Sequence, residues 1–296
     1  MDSKKINNKL GSLLVLSSAL MFGSYGVWSR LIGPEFGNFF QGWTRAVIIL
    51  ILLIPIAIYR KEIVSVKKED WKWLTIFLIF TSLTQAPIFY AFNNMDIGSA
   101  SLLFFVSMFL TMYVVGFLFL GEKLNKTKII SSIIAIGGMY LVFSFSITSF
   151  IILAAVMAII NGVASGGEVA FSKKLSHKYS PLYLVILSWV IILITNGIIS
   201  VVVGEAQIIP SLTMPWFWQL CYSIASLLAF WLVIAGFKYI DASIGALIGL
   251  MEIVFSVLFG IIIFKESLTL SVGIGAILII TAAILPHLPK ILRRSN

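Results

Sequence analysis

Long apolar stretches follow one another along nearly the whole chain, and they leave room for few folds other than a helical membrane protein. A helix that crosses the hydrocarbon core needs about 20 mainly apolar residues. The chain contains ten such stretches, at residues 11–31, 38–59, 71–92, 97–120, 129–145, 150–171, 181–203, 215–237, 242–264 and 268–288. Between the fifth and the sixth, the polar segment at residues 143–150 is interpreted as a short turn.

The composition agrees with a membrane location and argues against an enzyme. Hydrophobic residues make up 60% of the 296 positions and charged residues only 11%, whereas a soluble domain has about 25% charged residues. Cys221 is the only cysteine, so no intramolecular disulfide or cysteine metal cluster can form. The sequence has no H-E-x-x-H pair and no G-x-S-x-G elbow. Neither catalysis, a cofactor nor a bound metal is expected.

The basic residues indicate how the chain is oriented. Only Arg30 and Lys265 fall on the side opposite the amino terminus, and Arg45 lies inside a span; the remaining lysines and arginines fall in loops on the amino-terminal side. The positive-inside rule therefore places both termini in the cytoplasm. The net charge of +9 is an orientation signal, and no nucleic-acid partner is expected. A cell (plasma or inner) membrane is favoured, with an organelle membrane as the alternative.

The two halves of the sequence resemble each other at an offset of 145 residues. This offset brings residues 71–73, with two tryptophans, onto residues 216–218, and Asp96 onto Asp241. At an offset of 144 residues, one fewer, Glu122 matches Glu266. Each unit holds five spans, and because five is odd the second unit enters the membrane from the opposite side. We therefore predict an all-α membrane protein of ten transmembrane helices in two inverted five-helix repeats, residues 1–147 and 148–296.

Several short motifs resemble a known family. They are Met21-Phe22-Gly23-Ser24, Trp43-Thr44-Arg45-Ala46, Leu120-Gly121-Glu122-Lys123-Leu124, Phe264-Lys265-Glu266-Ser267-Leu268 and Leu250-Met251-Glu252-Ile253-Val254-Phe255. Together they are similar to EamA-type members of the drug/metabolite transporter superfamily, over about residues 11–288. Ile253 stands where that family usually has a proline, and the matching segment at residues 107–109 also lacks one. The resemblance implies export or exchange of small metabolites, often amino acids, along a path lined by spans one, three, four, six, eight and nine.

Glu252 is the leading site candidate because an ionisable side chain deep in a bilayer is costly and usually functional. It lies about nine residues into span nine, near the midplane where transporter sites occur. Small and polar residues share its helix face, namely Gly245, Gly249, Ser256 and Gly260. This face is interpreted as the wall of a cavity, with a close helix-packing seam as the alternative.

Two roles remain open for Glu252 at this point. A carboxyl group at this depth can exchange a proton, which suits proton-coupled transport, or it can bind the amino group of a substrate. Ser107 stands at the matching position of the first half, so the site is predicted to be chemically one-sided and to suit an asymmetric substrate.

Arg45 is the second ionisable residue well inside a span. It lies about eight residues into span two and keeps its charge under all conditions. It is interpreted either as a carboxylate clamp or gate, or as a structural residue that snorkels outward or pairs with Glu35.

Polar and aromatic side chains in other spans complete the set of candidates. Asn161 and Glu168 share one face of span six, but Glu168 is expected to form a solvated interfacial ion pair beside Lys173 and Lys174. Further cavity walls are proposed at Gln85, Tyr90 and Trp231.

The sequence as a whole predicts a secondary transporter that works by alternating access. Its partners would be a small metabolite, the lipid bilayer and, as a candidate coupling ion, the proton. The alternative is a non-transporting membrane subunit for assembly or lipid handling. The sequence gives no indication of oligomeric state.

Overall fold

The computed structural model describes residues 8–95, 97–143 and 152–287, and every regular element in these ranges is helical. The helices are α1 Asn8–Gly23, α2 Tyr25–Ile32, α3 Asn38–Tyr59, α4 Trp71–Ser82, α5 Ala86–Asn94, α6 Ile97–Phe119, α7 Lys126–Phe143, α8 Ile152–Leu175, α9 Pro181–Val202, α10 Met214–Phe237, α11 Ala242–Gly249, α12 Met251–Phe264 and α13 Leu270–Ile284. Short 3-10 turns lie at Lys68–Asp70 and Leu285–His287.

Nine helical segments among the described residues are long and apolar enough to cross a membrane. Three of them consist of two consecutive helices, α1 with α2, α4 with α5, and α11 with α12. The tenth predicted span corresponds to α13, which has 15 residues. The predicted turn at residues 143–150 lies outside the described residues, apart from Phe143 at the end of α7.

The outer surface of the bundle is apolar. Large aliphatic side chains are more than half exposed on several helices, among them Ile51, Ile133, Ile198, Val202 and Ile277. A soluble protein would rarely leave so many isoleucines and valines in contact with water, whereas lipid chains solvate them without cost. The protein is therefore a multi-pass membrane protein.

Local sequence explains why the third span is interrupted. Pro87 has no backbone N–H, so the Leu83 carbonyl four residues earlier lacks its helical donor. Asn161 of α8 supplies the missing donor, its Nδ2 lying 3.1 Å from the Leu83 oxygen. A neighbouring helix thereby supplies the hydrogen bond that the break between α4 and α5 leaves open.

The ninth span is also interrupted, although it contains no proline. Its break falls at Leu250, between α11 and α12 and two residues before Glu252. The Ile253 amide there bonds to the Leu250 carbonyl three residues back, at 3.1 Å, which is a tighter turn than that of an α-helix. The matching span of the first half, α6, runs without interruption from Ile97 to Phe119.

The helices pack in pairs that link the two halves. α3 packs against α9 and α7 against α13, and α8 packs along α6 as α10 packs along α1. At the α7–α13 contact, a Cβ added to Gly138 would lie 2.8 Å from the Gly275 carbonyl oxygen. Only glycine permits backbones to approach this closely, so this pair forms a rigid seam at one side of the bundle.

Polar bonds hold the start of α4 to the loop before α9. Asp70 accepts hydrogen bonds from Lys178 Nζ at 2.6 Å and from the Tyr179 hydroxyl at 2.9 Å. The Tyr179 hydroxyl in turn accepts from the Lys67 amide at 3.1 Å. The hydrogen bond to the Asp70 carboxylate raises the pKa of Lys178. This loop is therefore anchored.

Candidate functional site

A cavity of about 450 Å³ lies between the two halves of the bundle. Ten of the thirteen helices contribute residues to its wall, and α4, α7 and α13 contribute none. Its volume is within the range of small-molecule sites, and its wall is mostly apolar, with a few polar groups. The polar side chains on the wall are Ser18, Tyr25, Arg45, Thr84, Gln85, Ser101, Asn161, Ser165, Glu168, Tyr222 and Glu252.

Arg45 is a buried cation without an anionic partner in the part of the chain that the structure describes. Only 5% of the residue is exposed, it forms no ion pair within the described residues, and its Nε and Nη1 atoms have no hydrogen-bond partner. Its guanidinium carbon lies 4.0 Å from the ring centre of Tyr222 and 5.6 Å from those of Tyr25 and Trp189. Aromatic faces attract a cation, so these rings hold the guanidinium in place and leave its N–H donors available.

A polar network fixes the helix that carries Arg45. Gln219 of α10 donates from Nε2 to the Gln41 carbonyl at 2.8 Å and to the Thr44 hydroxyl at 2.7 Å. These two acceptors precede Arg45 on α3, and Gln219 is fully buried. The network places α3 and α10 in register, which brings Arg45 against Tyr222 one turn further along α10.

Glu252 lies on the cavity wall and has no bonding partner in the described structure. Its carboxylate forms neither an ion pair nor a hydrogen bond with any described residue, and the residue is partly exposed to the cavity. Its backbone carbonyl packs against Gly23, where an added Cβ would lie 2.8 Å away. The close packing of α12 on α1 therefore determines where the Glu252 side chain enters the cavity.

The small-residue face around Glu252 combines both interpretations made from the sequence. Gly245 and Gly260 are packing positions, since a Cβ there would lie 2.5 Å from the Phe237 ring and 2.4 Å from Glu266 Oε2. Gly249 borders the cavity with open space where its Cβ would be. One face thus forms a seam at its ends and a cavity wall at its centre.

The expectation that Glu168 is a solvated interfacial ion pair is wrong. Glu168 is 4% exposed, lines the cavity and accepts a hydrogen bond from the Thr81 hydroxyl at 2.9 Å. Lys173 is bonded instead to Glu122, and Lys174 to the Phe119 carbonyl. The helix extends to Leu175, four residues beyond its predicted end, so Glu168 lies deeper than its place in the sequence indicated.

The structure brings four of the predicted site residues together on the cavity wall, namely Glu252, Arg45, Asn161 and Gln85. Gln85 lies against Gly42, where an added Cβ would be 2.7 Å from the Gln85 Oε1 atom, and that oxygen is buried without a donor.

The other four predicted residues do not line the cavity. Ser107 packs between α6 and α8, where a Cβ added to Gly162 would lie 2.8 Å from the Ser107 Cβ. Tyr90 and Trp231 are 39% and 42% exposed, and Ser256 is exposed on α12. Their contact with a substrate stays a prediction.

The family model that matches this chain is described as "EamA-like transporter family", and it matches twice, at residues 9–144 and 152–286. The chain belongs to the EamA-like transporter family. The two matches cover two halves of the chain in tandem, as the internal sequence similarity predicted. Membership makes the protein a membrane transporter, and it implies a small-molecule substrate and a lipid bilayer.

Relatives of this EamA-like chain extend over nearly its whole length. A protein of Archaeoglobus fulgidus named "Uncharacterized transporter" is 23% identical over 286 residues, covering 94% of this chain and 96% of the relative. A protein of the same name from Helicobacter pylori is 22% identical over 290 residues, with 96% of each covered. A solved structure described as "Crystal structure of protein" matches with a TM-score of 0.78 and 17% identity, covering 97% of this chain and 98% of the other. That structural likeness shows a shared fold.

Sequence reasoning missed two aromatic residues that hold Arg45, Tyr222 and Trp189. A signal for Tyr222 exists, because Gln219, Tyr222, Ser223 and Ser226 form a polar stripe at helical spacing in α10. No comparable signal marks Trp189, which stands among aliphatic residues of α9 and is 1% exposed.

Proposed function

We propose that this EamA-like protein is a secondary transporter of small zwitterionic metabolites such as amino acids, acting as an exporter or exchanger. One observation carries the proposal: the same cavity holds Arg45, which has no anionic partner among residues 8–95, 97–143 and 152–287, and Glu252, which has no cationic partner there. A substrate with both a carboxylate and an ammonium group would satisfy both. Charge-assisted hydrogen bonds of this kind are stronger than neutral ones.

The proposed architecture has ten transmembrane helices in two inverted five-helix units, residues 1–147 and 148–296. The pairing of helices supports it. α3 and α9 are the second spans of the two units, α7 and α13 are the fifth spans, and each packs on its counterpart, as expected around a pseudo-two-fold axis in the membrane plane. Such an arrangement permits alternating access to a central site.

The proposed setting is a cell (plasma or inner) membrane with both termini in the cytoplasm. The distribution of lysine and arginine supports this orientation, since Arg30 and Lys265 are the basic residues at the opposite ends of the spans. From here on, the end of the bundle that carries Glu122 is called the inner end, and the end that carries Glu266 is called the outer end.

The proposed coupling ion is the proton. Glu252 and Glu168 both face the cavity, and neither has a cationic partner among the described residues. A carboxyl group that faces a substrate site can bind a proton in one half of the cycle and release it in the other. An imposed pH gradient should therefore drive net movement of substrate in vesicles.

Exchange in proteoliposomes tests the transport proposal. Vesicles loaded with the proteinogenic amino acids would face the same mixture labelled with ¹³C and ¹⁵N, and mass spectrometry would identify which species exchange. We expect one chemically related group to exchange, and we expect Glu252→Gln to weaken that exchange about tenfold at low substrate concentration. Ser256→Ala is the matched control, because Ser256 lies one turn away on α12 and outside the cavity wall. No exchange of any amino acid by the wild type would contradict the proposed substrate class.

A further inference from the structure

Two ion pairs at opposite ends of the bundle join the two halves of the chain. Lys173 Nζ lies 2.7 Å from Glu122 Oε1, and Arg30 Nη1 lies 2.7 Å from Glu266 Oε1. In each pair the cation lies in the last turn of the first span of one unit, and the glutamate follows the fourth span of the other. The two pairs therefore occupy matching places in the two units.

The backbone around the two glutamates is also alike. The Glu122 amide bonds to the Gly116 carbonyl at 3.0 Å, and the Glu266 amide bonds to the Gly260 carbonyl at 3.2 Å. In both cases the glutamate side chain lies where a Cβ on that glycine would be, at 2.9 Å and 2.4 Å from a carboxylate oxygen. In both turns the glutamate side chain thus folds back against the glycine of the preceding helix.

The surroundings of the two glutamates differ sharply. The inner pair is buried, with Lys173 13% and Glu122 4% exposed, whereas the outer pair is open to solvent, with Arg30 59% and Glu266 55% exposed. An exposed ion pair contributes little to stability. The inner pair is part of a tightly packed structure, and the outer pair is not.

Glu122 holds the first turn of α11 as well as Lys173. Its carboxylate accepts hydrogen bonds from the Ala242 amide, from the Ser243 amide at 3.1 Å and from the Ser243 hydroxyl at 2.9 Å. The first N–H groups of a helix lack helical acceptors, and the helix dipole favours a negative charge there. Among the described residues, Glu266 accepts a side-chain hydrogen bond from Arg30 alone.

The cavity wall is more deeply buried toward the inner end than toward the outer end. Its inner wall is formed by buried side chains, including Val15, Met112, Phe237 and Ala246. Toward the outer end the wall includes Gly26, which is exposed and has open space where a Cβ would be. Glu122 thus caps a helix at the end of the bundle where the cavity wall is buried.

We propose that Glu122 and Glu266 are alternating latches that close opposite ends of the cavity, an inference that rests on the proposed alternating-access function. We assign the described structure to an outward-open state, in which Glu122 caps α11 and holds the inner end shut. In the inward-open state Glu122 releases α11, and Glu266 caps the amino end of α6. That end begins at Ile97, the position that matches Ala242 at the offset of 145 residues.

Distances between spin labels at the two ends test this proposal without knowledge of the substrate. In a Cys221→Ser background, an inner pair would combine Lys123→Cys with Lys238→Cys, and an outer pair would combine Asn93→Cys with Ser267→Cys. Lys123, Asn93 and Ser267 are exposed and Lys238 is half-buried at a loop. Double electron–electron resonance spectroscopy on the full chain in lipid nanodiscs would give the fraction of each state.

Glu122→Gln keeps the size of the side chain and removes its charge. We expect the inward-open fraction to rise about tenfold, with a longer inner distance and a shorter outer one, because charge-assisted hydrogen bonds are lost. Lys173→Met removes the ion pair but leaves the cap on α11, so it should move the distances in the same direction by less. It serves as a second variant in case Glu122→Gln folds poorly.

Glu266→Gln is the matched control, since it makes the same chemical change in the pseudo-equivalent residue. Alone it should leave both resting distances unchanged. Combined with Glu122→Gln it should lower the inward-open fraction again, because the second latch is then weakened as well.

An unchanged inner distance in Glu122→Gln would overturn the proposal. Resting distances that move equally in Glu266→Gln would also overturn it. A protein whose distances respond as expected but which exchanges no amino acid would keep the latches and lose the proposed substrate.

Discussion

Two buried cations in this protein have opposite surroundings. Lys173, at the inner end of the bundle, is bonded to the buried Glu122 carboxylate. Arg45, on the cavity wall, is surrounded by Tyr25, Tyr222 and Trp189 and has no carboxylate within reach among the described residues. A buried cation is costly unless it is paired. Glu122 is the anionic partner of Lys173. For Arg45, an anionic ligand or water in the cavity would have to provide the partner.

The contrast separates a charge whose partner the protein itself supplies from a charge whose partner a ligand would supply. Removing one partner of a buried ion pair leaves the other charge buried and unpaired, so the free energy of unfolding falls. Removing a cation that has no protein partner leaves no unpaired charge behind, so ligand affinity should fall while stability does not. The predictions that follow test this distinction.

The largest effect on stability is expected for Glu122→Leu. The substitution leaves Lys173 buried without an anion and exposes the amides of Ala242 and Ser243 to an apolar neighbour. The free energy of unfolding should fall by about 3 kcal/mol or more. Denaturation of the purified protein in detergent measures it, and a loss below about 1 kcal/mol would show that the inner network is not structural.

Arg45→Met should weaken substrate binding without lowering stability. Substrate affinity should fall about a hundredfold, because a carboxylate loses its charged donor, while thermal stability without substrate stays equal or rises. Lys173→Met is the comparison variant and should lower stability. Equilibrium binding together with unfolding curves checks both halves, and a destabilised Arg45→Met protein that still binds its substrate would contradict the distinction.

Much of the fold could be predicted from the sequence because apolar stretches of membrane length specify helices directly. The start of α3 at Asn38 and the limits of α9 agree with prediction to within one residue. The break at Leu250 could not be predicted, since no proline marks it. Directly after that break, α12 packs closely on α1 at Gly23, a tertiary contact that local sequence does not reveal.

The candidate site was predictable only in part. Arg45 and Glu252 follow from the rarity of charge within a span, but the partners of Arg45 come from α9 and α10 and carry no local signal at Trp189. Glu168 was placed wrongly because its depth depends on how far α8 continues, and sequence patterns locate helix ends poorly.

Glu252→Gln should have a smaller effect than Arg45→Met. A neutral amide can still accept a hydrogen bond from a substrate ammonium group but provides no charge, so we expect affinity to fall about tenfold and the pH dependence of exchange to disappear. Rates measured across a series of external pH values test this. Persistence of the wild-type pH profile would assign proton coupling elsewhere, with Glu168 as the next residue to test.

Arg30→Gln should have the smallest effect. The Arg30–Glu266 pair is exposed on both sides, so its loss should change the free energy of unfolding by no more than about 0.5 kcal/mol. The same denaturation assay as for Glu122→Leu applies. An effect as large as that of the inner substitution would mean that the two ends of the bundle do not differ as described.

Thermal stabilisation of the purified protein by pools of amino acids tests the central claim most directly, because a ligand that binds the folded state raises its apparent stability. Wild type, Glu252→Gln and Ser256→Ala would be compared in parallel. The account predicts that one pool stabilises the wild type and Ser256→Ala equally and stabilises Glu252→Gln clearly less. Equal stabilisation of all three proteins would place the substrate away from Glu252, and no response of the wild type to any pool would contradict the account.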